Sequence, residues 1–171
     1  MMILISGGNG SGKSAYAEKL AATMSMPRYY IATMVSQSEE NEQRIEKHRR
    51  QRDGLDFQTI EEPCFVSRAE VPANSMVLLE DASNLLANMV FAEHGTAEDA
   101  LHEIMALKGK CRQLLVVTIS GLSAEQYDGE TADYIRTMEW LNERLYDEAD
   151  IAVELQNGEP KCRKVNWNSI S

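Results

Sequence analysis

The sequence is poor in the residues that indicate an extracellular, zinc-binding or membrane protein. Its three cysteines lie far apart and form no CxxC pair, so neither a zinc site nor a disulfide framework is indicated. We therefore expect a reducing, cytoplasmic setting. The apolar run 1–6 lacks the basic start and the cleavage site of a targeting segment. It is also too short to cross a bilayer, and no membrane span is expected.

Positive charge is also scarce. The chain has 17 Lys and Arg residues against 27 Asp and Glu residues, which gives a formal net charge of −10. General nucleic-acid binding needs positive charge spread along the phosphate backbone, so no nucleic-acid partner is expected. With 171 residues, of which 43% are apolar, the sequence predicts a single globular domain over residues 1–171.

Short apolar runs alternate with segments of helical periodicity along the chain. This alternation predicts an α/β fold with a largely parallel central sheet flanked by helices. Asn157-Gly158 predicts a C-terminal hairpin. Predicted strands are Met2–Ser6, Arg28–Thr33, Phe57–Ile60, Met76–Leu79, Gln113–Thr118, Ile151–Leu155 and Lys161–Val165. Predicted helices are Ser14–Met24, Glu39–Asp53, Ala82–Glu93, Ala97–Lys108 and Thr131–Glu148.

A complete G-x-x-x-x-G-K-S motif follows the first predicted strand. It comprises Gly7, Gly8, Asn9, Gly10, Ser11, Gly12, Lys13 and Ser14. In such a P-loop the glycines let backbone N–H groups approach phosphate oxygens, the lysine reaches the β- and γ-phosphates, and the serine hydroxyl binds Mg²⁺. The alternative is a chance glycine-rich turn. A strand before the motif and a helix after it favour the P-loop, and hence binding of a nucleoside triphosphate with Mg²⁺.

A P-loop enzyme also needs a carboxylate at the end of a neighbouring strand on the metal side. The apolar run Met76–Leu79 ends in Glu80 and Asp81. Glu80 is our first choice for this role and Asp81 the second. The alternative for Asp81 is that it caps the helix that follows.

The segment 44–52 holds five of the chain's Lys and Arg residues around His48. One interpretation is a solvated helix face, with ion pairs to Glu39, Glu40 and Glu42. The other is a second phosphate-binding surface. Positive neighbours should lower the pKa of the histidine, and a neutral imidazole is a competent nucleophile toward phosphorus. The arginines beside it would neutralise charge on the transferring group.

Several motifs, taken in order, resemble a known family. The chain is similar to adenosylcobinamide kinase / adenosylcobinamide-phosphate guanylyltransferase, the bifunctional enzyme of cobalamin nucleotide-loop assembly. The resemblance covers residues 1 to about 91 well and the remainder thinly. The matching elements are the opening 2–8 with the P-loop, Tyr30–Thr33, the R-I-x-x-H-x-x-x-R pattern of Arg44–Arg52, the T-x-E-x-P pattern of Thr59–Pro63, Leu78–Glu80 with Asn88, and Asn142–Asp150.

The resemblance implies two reactions. A hydroxyl of adenosylcobinamide is phosphorylated by GTP or ATP, and GMP is then transferred from GTP through a GMP–histidine intermediate at His48, with Lys13 as the other catalytic residue. It also implies a RecA-like P-loop domain, Mg²⁺ at Ser14 and Glu80, a homotrimer, and a cobinamide-type corrinoid as the small-molecule substrate. Further nucleotide contacts that it implies are Ala32, Thr33, Met34, Arg49, Arg50, Gln51, Arg52, Glu61 and Glu80.

The chain departs from the family pattern after its fifth predicted strand. Ile119-Ser120-Gly121 stands where the family has Asn-Glu-Val-Gly, and Leu122–Gly129 matches no family element. Two other interpretations therefore remain open: a P-loop small-molecule kinase without guanylyl transfer, and a nucleotide-binding regulatory protein with little turnover.

Overall fold

The structure, a computed structural model, describes residues 1–36 and 39–166. Within the helix 39–52 it describes the backbone, but not the side chains of Glu40, Arg44, Lys47, His48 and Gln51. No helix of the described residues is long and apolar enough to cross a membrane.

Seven strands form one sheet in the order β3-β2-β4-β5-β1-β6-β7. The strands are β1 Met2–Gly7, β2 Arg28–Ala32, β3 Phe57–Glu61, β4 Met76–Glu80, β5 Gln113–Ile119, β6 Ile151–Gln156 and β7 Glu159–Val165. All paired neighbours are parallel except β6 and β7, which form the C-terminal antiparallel hairpin. The predicted α/β architecture and its hairpin are confirmed.

Within residues 1–36 and 39–166, five α-helices cover the two faces of the sheet. They are α1 Lys13–Ala22, α2 Glu39–Arg52, α3 Ala82–Phe91, α4 Ala97–Lys108 and α5 Gly129–Glu148. Alternate residues of each strand point to opposite faces, so the sheet separates two apolar clusters. Ile3 and Ile5 pack with α1, whereas Met2 and Leu4 pack with α3, α4 and α5. Strands buried on both faces explain the continuous apolar runs in the sequence.

Helix α2 differs from the other helices because all but one of its residues are polar or charged. Among its described side chains only Arg52 is buried. It lies on the same sheet face as α1, since the guanidinium of Arg52 stacks on Tyr30, a member of the α1 cluster. The predicted helix over Glu39–Asp53 is confirmed, and among its described side chains the expectation of an exposed helix is wrong at Arg52.

The register of the parallel strands brings three strand ends to one edge of the sheet. Ala32 at the end of β2 pairs with Glu80 at the end of β4, and Gly7 at the end of β1 pairs with Ile119 of β5, the strand between β4 and β1. Loops at the carboxyl ends of parallel strands form the ligand sites of open α/β sheets. The P-loop, the entry to α2 and the acidic end of β4 are thus neighbours because of topology.

Candidate active site

The P-loop forms a closed turn between β1 and α1. Ser11 N donates to Gly8 O at 3.2 Å, and Lys13 Nζ donates to the same carbonyl at 3.2 Å. Position 7 requires glycine because neighbouring atoms lie too near for a side chain: a Cβ there would be 2.5 Å from Ser11 Oγ and 3.0 Å from Leu155 O. Gly12 caps α1 with a φ of 85°, in the left-handed region that favours glycine. The loop and the first turn of α1 therefore present backbone N–H groups to an anion.

Glu80 lies directly against the P-loop serine. Ser14 Oγ donates to Glu80 Oε1 at 2.6 Å, while Glu80 Oε2 is buried and has no hydrogen-bond partner among the described residues. Burial, and next the Asp81 carboxylate, raises the pKa of Glu80 to about 8, although the Ser14 hydrogen bond opposes this. A buried carboxylate oxygen without a partner is costly, and a cation would compensate it.

A serine hydroxyl and a carboxylate are oxygen donors of the kind that Mg²⁺ takes, together with phosphate oxygens and water. The described residues hold no group of three or more His, Cys, Asp or Glu side chains that could bind a metal ion without such help. Asp81 has a different task, because its Oδ1 accepts from Asn84 N at 2.7 Å and caps α3. The capping interpretation of Asp81 is therefore confirmed.

A cavity of about 280 Å³ opens above the P-loop. Residues 9–15 form one wall, and the ends of β2 and β4 form the floor through Ala32 and Glu80. Ile45 and Arg52 of α2 close the opposite side. Predicted site residues from three separate parts of the sequence thus meet around one space, which is of the size of a small-ligand pocket.

A second cavity of about 410 Å³ lies on the same sheet face beside β3. Arg52 lines both cavities, so its guanidinium stands between them. Glu61 borders the second cavity, where its Oε1 accepts from Arg49 Nη2 at 2.8 Å. Arg49 and Glu61 are therefore brought together, but neither lines the cavity above the P-loop.

Position 48 lies in α2 one turn before Arg52. The side chains of the predicted site residues His48 and Gln51 are outside the described part of the chain. Positions 45, 48 and 52 follow the i, i+3, i+7 spacing of one helix face, and Ile45 and Arg52 on that face line the first cavity.

Other predicted site residues lie outside the cavities. Thr33 is fully buried, and its hydroxyl donates to the backbone of Glu80 and Asp81. Arg50 is exposed and pairs with Glu46 at 3.0 Å. Arg49 pairs with Glu61 and Arg50 with Glu46, rather than with Glu39 or Glu42 as expected. The expected pairs of Glu40, and any with Arg44 or Lys47, lie outside the described side chains.

Several residues of the site were not found by sequence analysis. Ala15, Tyr30, Ile45 and Asn84 line the first cavity, and Glu18 is buried on α1. Tyr30 resembles an ordinary strand aromatic in the sequence. Glu18 follows the P-loop serine by four residues and so falls on the same helix face, which was the one available signal.

The comparisons with known proteins agree with this geometry. The sequence profile of a family described as cobinamide kinase / cobinamide phosphate guanyltransferase matches residues 3–162. The bifunctional adenosylcobalamin biosynthesis protein CobP of Pseudomonas aeruginosa is 30% identical over 158 residues, covering 88% of this chain and 90% of that protein. The corresponding protein CobU of Escherichia coli K12 is 36% identical over 102 residues, covering 58% of this chain and 55% of that protein.

Solved structures share the fold at low sequence identity. One solved ATPase domain superposes with a TM-score of 0.58 at 11% identity, covering 97% of this chain and 77% of that one. A protein from Pyrococcus horikoshii OT3 superposes with a TM-score of 0.55 at 8% identity, covering 99% and 89%. These likenesses support the P-loop NTPase architecture and nothing beyond it.

Proposed function

The chain belongs to the cobinamide kinase / cobinamide phosphate guanyltransferase family, and from that premise we propose how its residues divide the work. The enzyme phosphorylates adenosylcobinamide with a nucleoside triphosphate and then transfers GMP from GTP onto the resulting phosphate. Both steps transfer a group from a triphosphate, so both need a phosphate cradle and an activated nucleophile.

The observation that carries the residue assignment is the convergence of the P-loop, Glu80 and α2 on one cavity. We assign Lys13 and the backbone of residues 7–14 to the phosphates. Ser14 and Glu80 hold Mg²⁺, because the unpartnered oxygen of Glu80 next to the Ser14 hydroxyl fits a cation. When bound, Mg²⁺ neutralises charge on the phosphate oxygens.

We propose His48 as the nucleophile of the second reaction. A ring nitrogen attacks the α-phosphorus of GTP, the P–N bond forms as the bond to the β-phosphate oxygen breaks, and pyrophosphate leaves. The phosphate of the acceptor then attacks the same phosphorus and restores the free histidine. Arg52 and Arg49 stabilise the charge that develops, since Arg52 faces the P-loop cavity and Arg49 the neighbouring one.

We also propose the remaining nucleotide contacts. Ala32 and Met34 line the cavity, whereas Thr33 acts by holding the ends of β2 and β4 together. We further propose that GTP or ATP serves the kinase step, that the acceptor is a cobinamide-type corrinoid, and that the enzyme is a cytoplasmic homotrimer. The three free cysteines fit a reducing compartment.

The test is incubation with Mg²⁺ and GTP labelled at the α-phosphate, followed by denaturation. We expect protein-bound label that is lost in acid and survives alkali, as a phosphoramidate does. His48→Ala should abolish the label, and His102→Ala, at an exposed position on α4, should retain it. An unlabelled protein that still binds GTP and consumes it with cobinamide would be a kinase without guanylyl transfer. An unlabelled protein that binds GTP without consuming it would be a regulatory protein.

A further inference from the structure

One side chain at the start of α3 carries an amide that the helix itself does not use. Asp81 is the N-cap of α3, and Asn84 occupies the third helical position, from which a polar side chain can bond back to the backbone N–H of the cap residue. That N–H already has a partner, because Asp81 N donates to Thr33 Oγ1 at 2.8 Å. Asn84 N donates to Asp81 Oδ1 at 2.7 Å, whereas the side-chain amide of Asn84 has no hydrogen-bond partner among the described residues.

Helix α4 shows the role of the same position in a helix that depends on it. The third helical residue there is Asp99, whose Oδ2 accepts from the backbone N of the cap residue Thr96 at 2.8 Å and completes a capping box. In α3 the Thr33 hydroxyl performs this task. Asparagine is also a weak helix former, so the stability of α3 does not explain its presence at position 84. A role outside the helix is therefore indicated.

Asn84 lines the cavity above the P-loop. It is half-buried and belongs to α3, which packs on the sheet face opposite to α1 and α2. Arg52 therefore borders the cavity from one sheet face and Asn84 from the other. Asp81 also lines the cavity beside α3, but its Oδ1 is engaged in the cap of the helix. The amide of Asn84 is thus available to bind a ligand at this wall of the cavity.

The backbone that carries Asn84 is held by two neighbouring elements. Ser83 Oγ accepts from Ile119 N at 3.0 Å, and Ser83 O accepts from the Tyr134 hydroxyl at 2.9 Å. These bonds join the first turn of α3 to the end of β5 and to α5. A side chain on a fixed backbone loses less conformational freedom when it binds a ligand, and it orients that ligand more accurately. Asn84 is therefore suited to orienting a reacting group.

The position of Asn84 favours the phosphorylation step. The lysine of a P-loop reaches the β- and γ-phosphates, and Glu80, four residues before Asn84, contacts the P-loop at Ser14. A hydroxyl that attacks the γ-phosphorus approaches roughly in line with the bond to the β-phosphate, from the side away from that phosphate. The wall formed by α2 is assigned to the arginine and the nucleophile of the other reaction. The wall at α3 is thus the one left for the acceptor hydroxyl.

We propose that Asn84 binds the acceptor hydroxyl in the phosphorylation step, an inference that rests on the proposed function. Its Oδ1 accepts a hydrogen bond from the hydroxyl and so directs an oxygen lone pair toward the γ-phosphorus. The new O–P bond forms as the bond between the γ-phosphorus and the β-phosphate oxygen breaks, the nucleoside diphosphate leaves, and the hydroxyl proton passes to water. Guanylylation of the histidine involves no acceptor and does not require this contact.

The experiment compares the parent protein with Asn84→Leu and Asn84→Gln. Leucine has nearly the shape of asparagine but forms no hydrogen bonds, so kcat/KM for phosphorylation of adenosylcobinamide should fall about tenfold. Asn84→Gln keeps the amide and should recover part of this loss. The Kd for GTP should change less than about threefold, because the P-loop is unaltered. The control is Asn74→Leu, which changes an exposed asparagine just before β4, at the end of that strand far from the cavity.

Labelling with α-labelled GTP in the absence of acceptor distinguishes acceptor binding from a structural role. The rate of labelling and the Tm of Asn84→Leu should match those of the parent. If Asn84 only supported α3 and the cavity wall, Asn84→Leu would lower the labelling rate, the affinity for GTP and the Tm together. That combined loss, or an unchanged kcat/KM for adenosylcobinamide, would overturn the proposal.

Direct binding separates this inference from the proposed function. Binding of adenosylcobinamide, which absorbs visible light, is followed by equilibrium dialysis against protein loaded with Mg²⁺ and a non-hydrolysable GTP analogue. We expect the Kd for adenosylcobinamide to rise about fivefold in Asn84→Leu. A parent protein that forms no phosphorylated product contradicts the kinase mechanism. In that case weaker binding by Asn84→Leu still supports the contact, whereas equal binding, or no binding by the parent, overturns it.

Discussion

The carboxyl of Glu80 should destabilise the protein in the absence of Mg²⁺, and Glu80→Gln should therefore stabilise the apo form. Burial is the main reason that the pKa of Glu80 rises from its usual 4.5 to about 8. Between these two values the folded state holds a proton that the unfolded state releases. Stability is thus lost as the pH rises through this window, and the penalty is complete above pH 8.

The cost in free energy of unfolding follows from the difference between the two pKa values. Each pKa unit corresponds to about 1.4 kcal/mol, so the cost at pH 7 reaches about 3 kcal/mol if the carboxyl remains protonated in the fold. Part of the raised pKa of Glu80 comes from the Asp81 carboxylate. In Glu80→Gln an amide oxygen accepts the hydrogen bond from Ser14, and this bond is weaker than one to a carboxylate. We expect a net gain of about 1–3 kcal/mol, or about 2–10 °C in Tm for a chain of this size.

The assay is thermal unfolding in a chelator at pH 6 and pH 8.5, with and without Mg²⁺ and GTP. The gain in Tm should be larger at pH 8.5 than at pH 6. Mg²⁺ with GTP should stabilise the parent by about 2.7 kcal/mol at a hundredfold excess over Kd, and Glu80→Gln by much less. Glu139→Gln, an exposed acid on α5, is the control. A Tm that falls equally at both pH values would refute the reasoning.

Three further changes test separate parts of the fold. Gly7→Ala places a Cβ 2.5 Å from Ser11 Oγ and should weaken GTP binding more than tenfold in a titration. In Gly8→Ala the nearest neighbour of the new Cβ is Ser120 O at 4.0 Å, so Tm should stay near that of the parent. Arg28→Met removes hydrogen bonds to four backbone carbonyls and should speed proteolysis within α2, while equal cleavage of both proteins would deny it an anchoring role. Thr96→Ala breaks the capping box of α4 and should cost about 1 kcal/mol in denaturant unfolding with labelling unchanged.

The fold could be predicted from sequence because its strands are buried on both faces and its turns carry strong local signals. The strand runs and Asn157-Gly158 give the seven strands within one or two residues of their ends. The P-loop was equally clear, because its geometry depends on local backbone shape at Gly7 and Gly12. The single-domain prediction for 1–171 stays a prediction.

The position of Arg52 could not be predicted in the same way. Whether Arg52 reaches the Tyr30 ring depends on how α2 crosses the sheet, and the sequence of this polar helix gives no apolar stripe from which to derive that crossing. The same absence made a solvated face the simpler interpretation of Arg44–Arg52. The contact of Ser14 with Glu80 joins residues 66 positions apart and depends on the packing of β1 and β4 on either side of β5, whereas the cap of α3 by Asp81 is local and could be proposed from the sequence.

One side chain on α3 is hydrogen-bonded to both ends of the segment that carries α2 and β3. Asn88 Nδ2 donates to Thr33 O at 2.8 Å, just after β2, and to Pro63 O at 2.9 Å, just after β3. Both ends of this segment are thus held by α3, the helix that directly follows Glu80 and Asp81. A substitution at Asn88 would therefore loosen both ends of this segment at once, and with them the position of Arg52 beside the P-loop cavity.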